Sequence, residues 1–249
     1  MLDEKINFNP MTKDYNTYSI TRKVVFSPQL MNKDDVMESF EFSYEMAFGK
    51  GFHRNYRSGG AVVRKSGEIF ANTFQGKLAE FAFYRLLISR GKQCPKPDLT
   101  VMGQEFWDDA DFEIMNRSIS IKSACFFSQL LLLEIKDWSA EGVYLPNNKK
   151  YDYHFFIRIK EDIKKLLKTK KWLYKSYLNK SDLYSLICSK QWFSDIPGFV
   201  THQDLVECIR RKNIIYKGSF LNTSNTKMDA SNYYIQAGDL RTLDSVSVR

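Results

Sequence analysis

A helix that is apolar nearly all round cannot lie on a protein surface, and this sequence predicts one. Between residues 72 and 90, Leu78, Phe81, Phe83, Leu86, Leu87 and Ile88 leave no wholly polar side. Asn72 can cap the start with Gln75 answering three residues later, and Gly91 supplies the usual stop. The rest of the chain must therefore cover this helix. Glu80 sits inside it, and a buried carboxylate is costly unless something pairs with it. Two partners are open: a salt bridge to Lys77 or Arg85 on the same helix, or a metal ion.

Residues 111–123 supply a second constraint. They read as two short strands joined by a tight turn at Asn116-Arg117. Side chains alternate along a strand, so Phe112, Ile114, Ile119 and Ile121 share one face. With that two-residue loop, the expected cross-strand pairs are Met115 with Ser118, Glu113 with Ser120, and Asp111 with Lys122. The other face then gathers Asp111, Glu113, Ser120 and Lys122, which is how a divalent-metal nuclease site looks in sequence.

At 249 residues the chain can bury a real core, as one large domain or a domain with an appended subdomain. Its net charge of +8 favours an anionic partner, because lysines and arginines bind phosphates by releasing counterions. A lysine-rich composition without any nucleic-acid role is the competing explanation. Cys94, Cys125, Cys188 and Cys208 are scattered, with no Cys-x-x-Cys pair and only His53, His154 and His202 to assist, so reduced thiols are expected rather than a zinc cluster. No signal peptide and no apolar run of about eighteen residues is visible, which points to a cytoplasmic protein without a membrane span.

Along the chain, residues 1–29 read as irregular apart from a strand over 20–26. Residues 32–48 read as a helix, with Val36, Phe40, Tyr44 and Phe48 at spacing four. A Gly-rich loop follows, carrying Lys50, His53, Arg54 and Arg57; contact with a DNA backbone and simple solvation are both open. Residues 62–69 suggest a strand or hairpin, and 98–102 a short strand or turn. The apolar stretch 124–136, which holds Glu134, is expected to be helical. A strand over 153–159 precedes a basic, helix-spaced segment over 160–175, and a helix is expected over 182–191. Pro197-Gly198 should break the chain. Thr201 can cap a helix over 202–212 that exposes Arg210, Arg211 and Lys212, arginine being a common reader of guanine edges. A last strand falls at 233–236. The expected organisation is an N-terminal segment over 1–70 packing on the core, a catalytic core over 71–175, and a C-terminal part over 176–249 suited to DNA recognition.

Phosphodiester hydrolysis needs a metal on the scissile phosphate, a deprotonated water in line and a cation to offset developing charge. Magnesium prefers oxygen ligands, which carboxylates and main-chain carbonyls supply. Here the sequence resembles the PD-(D/E)xK nuclease superfamily, particularly type II restriction endonucleases. The resemblance is carried by Gly76-Lys77-Leu78-Ala79-Glu80, Ala110-Asp111-Phe112 and Ser120-Ile121-Lys122, and covers residues 74–124, about a fifth of the chain. It implies an α/β (α+β) fold: a central mixed β-sheet flanked by helices, with a C-terminal substructure appended to a restriction-endonuclease-like core. It also implies Mg2+, double-stranded DNA as substrate, a homodimer, and a cognate DNA methyltransferase in the same system that is not a physical partner. The implied metal ligands are Asp111, Glu80 and Glu113 with the main chain of Ile121, and Lys122 would hold the attacking water. One position departs from the pattern: Ser120 stands where a second acid is usual. Glu113, Glu134 and Glu80 are the candidates to replace it.

The expected activity is site-specific, Mg2+-dependent cleavage of double-stranded DNA. A repair or phage-type nuclease on the same scaffold and a non-catalytic DNA-binding protein built on the 202–212 helix are the alternatives. No P-loop motif exists, and the histidine and asparagine cluster of an HNH nuclease is absent.

Overall fold

A computed structural model describes residues 6–49, 65–101, 111–222 and 226–243. The elements in chain order are β1 (Thr12–Asp14), β2 (Thr17–Ser19), β3 (Gln29–Leu30), α1 (Lys33–Phe48), α2 (Ser66–Ser89), β4 (Phe112–Ile114), β5 (Arg117–Cys125) and β6 (Leu130–Glu134). Then come β7 (Tyr153–Lys160), α3 (Ile163–Thr169), α4 (Lys180–Cys188), β8 (Phe193–Thr201), α5 (His202–Arg210), β9 (Ile214–Ile215), β10 (Phe220–Leu221), β11 (Thr226–Lys227) and β12 (Asn232–Gln236). The central sheet has the order β3-β8-β7-β5-β4, with β5 and β7 parallel and the other neighbours antiparallel. The fold is therefore mixed α+β, with a mixed central sheet flanked by helices, as the sequence implies. A three-stranded sheet, β6-β12-β9, and a four-stranded sheet, β1-β2-β10-β11, complete it.

The apolar helix takes the central place that its composition demands. Phe70, Phe74, Leu78 and Phe81 of α2 are wholly buried among α1, α3 and the central sheet. The helix begins at Ser66 rather than near Asn72, so residues 66–69 are not a strand. A tertiary contact accounts for the longer helix: Gly67 N donates to the Lys175 carbonyl at 3.0 Å, and a Cβ on Gly67 would collide with the Trp172 carbonyl. α1 and α5 start where their caps predict, with Asn32 accepting from Asp34 N and Thr201 from Asp204 N.

Further expectations are corrected. Residues 124–134 are not helical, and only a short 3-10 turn follows at Ile135–Asp137: β5 runs on to Cys125, and Leu130–Glu134 pair antiparallel with Asn232–Gln236. A short all-apolar run has no period that separates buried helix from buried strand, and the partner strand decides it. Pro197-Gly198 does not break the chain but lies within β8, at a bulge opposite Phe156–Arg158. A bulge tolerates the missing proline donor, and the glycine admits the Arg241 carbonyl, where a Cβ would collide. The basic segment forms only the short α3 before Trp172 and Leu173 turn inward. Of the strand or turn open for the stretch from Asp98, no strand forms over 98–101, where Asp98 Oδ1 accepts from Thr100 N at 2.8 Å.

Residues 20–26 are not a strand either. They form a strap whose backbone groups are satisfied by side chains instead of a ladder. Gln236 Oε1 accepts from Thr21 N at 2.8 Å and Arg22 N at 3.0 Å, and Gln129 bonds both N and O of Val24. Asn9 bonds Asp239 twice, and β10 runs parallel to β2, so the first described residues are knitted to the last. No helix among the described residues is long and apolar enough to cross a membrane.

Candidate active site

The β4–β5 hairpin turns at Met115-Asn116, not at Asn116-Arg117. Both turn residues have positive φ, +51° and +59°, the requirement of a two-residue type I′ turn. Arg117 is drawn into the strand, where its Nη1 donates to Asp152 at 2.9 Å. The pairs are accordingly Phe112 with Ile119, Glu113 with Ser118 and Ile114 with Arg117, two residues from the expected register. An even slip leaves every side chain on its expected face. Phe112 packs on Phe83 of α2, which in turn meets Phe155 of β7.

The slip changes the neighbours on the polar face. Glu113 stands opposite Ser118 rather than Ser120, largely exposed, and accepts from Lys149 Nζ at 3.1 Å. Asp111, just before β4, instead reaches β5 directly: its Oδ2 accepts from the Ile121 N–H at 2.5 Å. The residue is exposed overall, while its carboxyl is desolvated. That desolvation pushes its pKa up, against the opposing pull of Lys122, the Ile121 N–H and Lys77.

Glu80 approaches from α2. Of the two partners open to it, Lys77 is present, with Nζ 2.6 Å from Oε2, whereas Arg85 forks onto Asp35 with two bonds of 2.7 Å. The ion pair does not fully offset burial. Glu80 is only 8% exposed, and its pKa is pushed up to about 7, by desolvation first and then by the negative charges of Asp111 and Asp98, with Lys77 pulling the other way. Asp111 and Lys77 thus act on Glu80 in opposite senses, and Lys122 and Lys77 both pull the Asp111 pKa down against burial.

This shift makes metal-free stability pH-dependent. A carboxyl whose folded pKa lies above its unfolded value contributes stability that is present below the unfolded pKa and lost as pH rises through the folded one. The rise from 4.5 to about 7 corresponds to about 3 kcal/mol. In EDTA, urea titrations from pH 4.5 to 8 should show the wild type losing roughly that much relative to Glu80→Gln. Parallel curves for the two proteins would mean that Glu80 titrates normally.

Lys122 projects from β5 with its ammonium 5.7 Å from the centre of the Tyr144 ring. Beside Ser120, in the parallel register, lies His154 of β7, fully buried and edge-on to Trp138 and Tyr151 at ring distances of 5.2 and 5.5 Å. Burial, then the charge of Lys122, then His202, hold the imidazole well below its ordinary pKa, so it is neutral. This aromatic floor was missed in the sequence, where the signal is a histidine within the largely apolar strand 153–159.

The other expected residues are dispersed. Glu134 ends β6 in the three-stranded sheet, with Lys136 Nζ at 3.9 Å, and lies on a strand rather than a helix. Arg210 and Arg211, at the end of α5, are both held by Glu207 at 2.7–2.8 Å, and Lys212 follows with positive φ. Arg54 and Arg57 lie outside the described residues.

Among the described residues no group of three or more His, Cys, Asp and Glu is placed to hold a metal ion, so the expected set of Asp111, Glu80 and Glu113 is not brought together. The carboxylates of Asp111 and Glu80 are of the donor type that magnesium takes, commonly one or two per ion with waters and substrate phosphates completing the shell.

What fold and site define is a mixed α+β protein with paired carboxylates and lysines gathered beside the hairpin of its central sheet. Comparisons with protein-family models, curated proteins and solved structures each return no match.

Proposed function

We propose that this protein is a Mg2+-dependent endonuclease of PD-(D/E)xK type that cuts double-stranded DNA at specific sites. The observation that carries this reading is the bond from the Ile121 N–H to Asp111 Oδ2, which sets Asp111 against the strand that bears Lys122, with Glu80 of α2 feeling the charge of Asp111. Asp111 and Glu80 would hold the ion, and Asp111 is oriented for that by the Ile121 N–H. When bound, the ion supplies charge to the scissile phosphate and acidifies a water. Lys122 positions the attacking water and offsets charge on the phosphate, with neutral His154 beneath it adding no competing cation.

The acid missing at Ser120 is supplied by Glu80 in this reading. Ser120 is buried against His154, Glu113 is engaged by Lys149, and Glu80 is the candidate on which the charge of Asp111 acts. Cutting both strands calls for two active sites, which a symmetric pair of chains provides. The test is incubation of the purified protein with long double-stranded DNA in Mg2+ and in EDTA. Discrete fragments that appear only with Mg2+ are expected. Intact DNA, or cutting that EDTA does not stop, counts against the proposal.

A further inference from the structure

Residues 160–180 hold eight lysines against Glu161 and Asp162, which accounts for six of the chain's net +8 charges. In the structure this stretch is α3, the turn after it and the start of α4. Ile163, Leu167, Leu173, Leu178 and Leu183 are buried in the core around α2, which fixes the opposite side outward. That side exposes Lys165, Lys168, Lys170, Lys171 and Lys175.

Several cations elsewhere are paired, Lys77 with Glu80, Arg85 with Asp35, Lys149 with Glu113, and Arg210 and Arg211 with Glu207, and those without an acidic partner, such as Lys23, Lys33 and Lys190, are scattered along the chain. Among the described residues, none of these five lysines has an acidic partner. Such a cluster repels itself unless something anionic covers it. The large exposed side chains between the lysines are Tyr174 and Tyr177, with no exposed leucine, isoleucine or phenylalanine among 160–180. Charge with tyrosine and without an insertable aliphatic group suits nucleic acid better than a membrane surface.

We infer that the lysine face of α3 and the α3–α4 turn is a docking surface for the phosphate backbone of nucleic acid; the choice of duplex DNA rests on the endonuclease reading. The face adjoins the first turn of α2 through the bond from Gly67 N to Lys175 O. Glu80 lies further along the same helix by about 20 Å at 1.5 Å per residue, less than the roughly 34 Å of one duplex turn. Lysine ammoniums act as point contacts to phosphate, so this face grips and orients DNA without reading its sequence.

The test is fluorescence anisotropy with a random-sequence duplex in EDTA, where no cutting occurs, across 50–300 mM salt. Wild type is compared with a protein carrying Lys→Gln at 165, 168, 170, 171 and 175 together, and with one carrying Lys→Arg at the same five positions. The glutamine protein should lose about four from the slope of log affinity against log salt, and about a hundredfold or more in affinity at moderate salt. The arginine protein should keep both, which separates charge from any structural role. Unchanged slope and affinity in the glutamine protein would overturn the proposal, as would failure of the wild type to bind duplex. Tighter, lysine-dependent binding to phosphatidylserine vesicles would replace it with a membrane role. Each of these results is independent of whether Mg2+ supports cutting, so the docking surface and the endonuclease reading can fail separately.

Discussion

Replacing Arg158 with methionine is expected to lower the free energy of unfolding by about 3–5 kcal/mol, because it strands a buried carboxylate. Arg158 is completely buried, and its guanidinium forks onto Asp195, with Nε 2.9 Å from Oδ1 and Nη2 2.5 Å from Oδ2. The remaining N–H groups donate to the carbonyls of Val24, Val25 and Ser128, while Asp195 accepts from Ser27 N. One residue thus ties two central strands to the strap. Changing Asp195 to leucine as well should recover part of the loss, since an absent buried pair costs less than a broken one. Urea unfolding of the single and double variants measures both. A loss under about 1 kcal/mol in the single variant would show that water reaches the pair.

Lys122→Ala and Asp111→Ala are each expected to reduce single-turnover cleavage at least a hundred- to a thousandfold, the usual scale for removing one well-placed electrostatic group. Affinity for duplex in EDTA should be retained, because neither residue lies on the lysine face. Glu80→Gln should lose comparably, whereas Glu113→Ala should lose much less, its carboxylate being largely exposed and engaged by Lys149. The order of these effects carries the information. A larger loss at Glu113 than at Glu80 would return the second acid to the hairpin and require the site to rearrange on binding metal.

Features encoded locally were legible in the sequence. Asn32 and Thr201 mark the starts of α1 and α5 because a cap is a matter of a few neighbouring residues. The faces of the hairpin were legible too, since alternation survives any even slip, but its register was not. That depended on Met115 accepting a positive φ and on Asp152, some 35 residues away, drawing Arg117 into the strand. The true start of α2 was hidden for the same reason: the carbonyls that enclose Gly67 belong to residues 172–175. Of the site, Asp111, Glu80 and Lys122 were visible as residue types in a pattern. The aromatic floor around His154 was not, because only the parallel pairing of β5 with β7 brings it beneath Ser120 and Lys122. The lysines of 160–175 were plain as charge, but which of them face solvent follows from where Ile163 and Leu167 are buried.

The knitting of the first strands to the last bears on how each molecule is made. Met11 and Tyr18 are buried against Ile215, Met228 and Tyr234, and β2 finds its parallel neighbour in β10. A ribosome delivers those partners some 200 residues after the segment they cover. At about 5–20 residues per second, the early strands wait roughly 10–40 s with apolar side chains and an open edge exposed. During that interval the nascent chain is open to pairing with other chains, and strands made early are completed late.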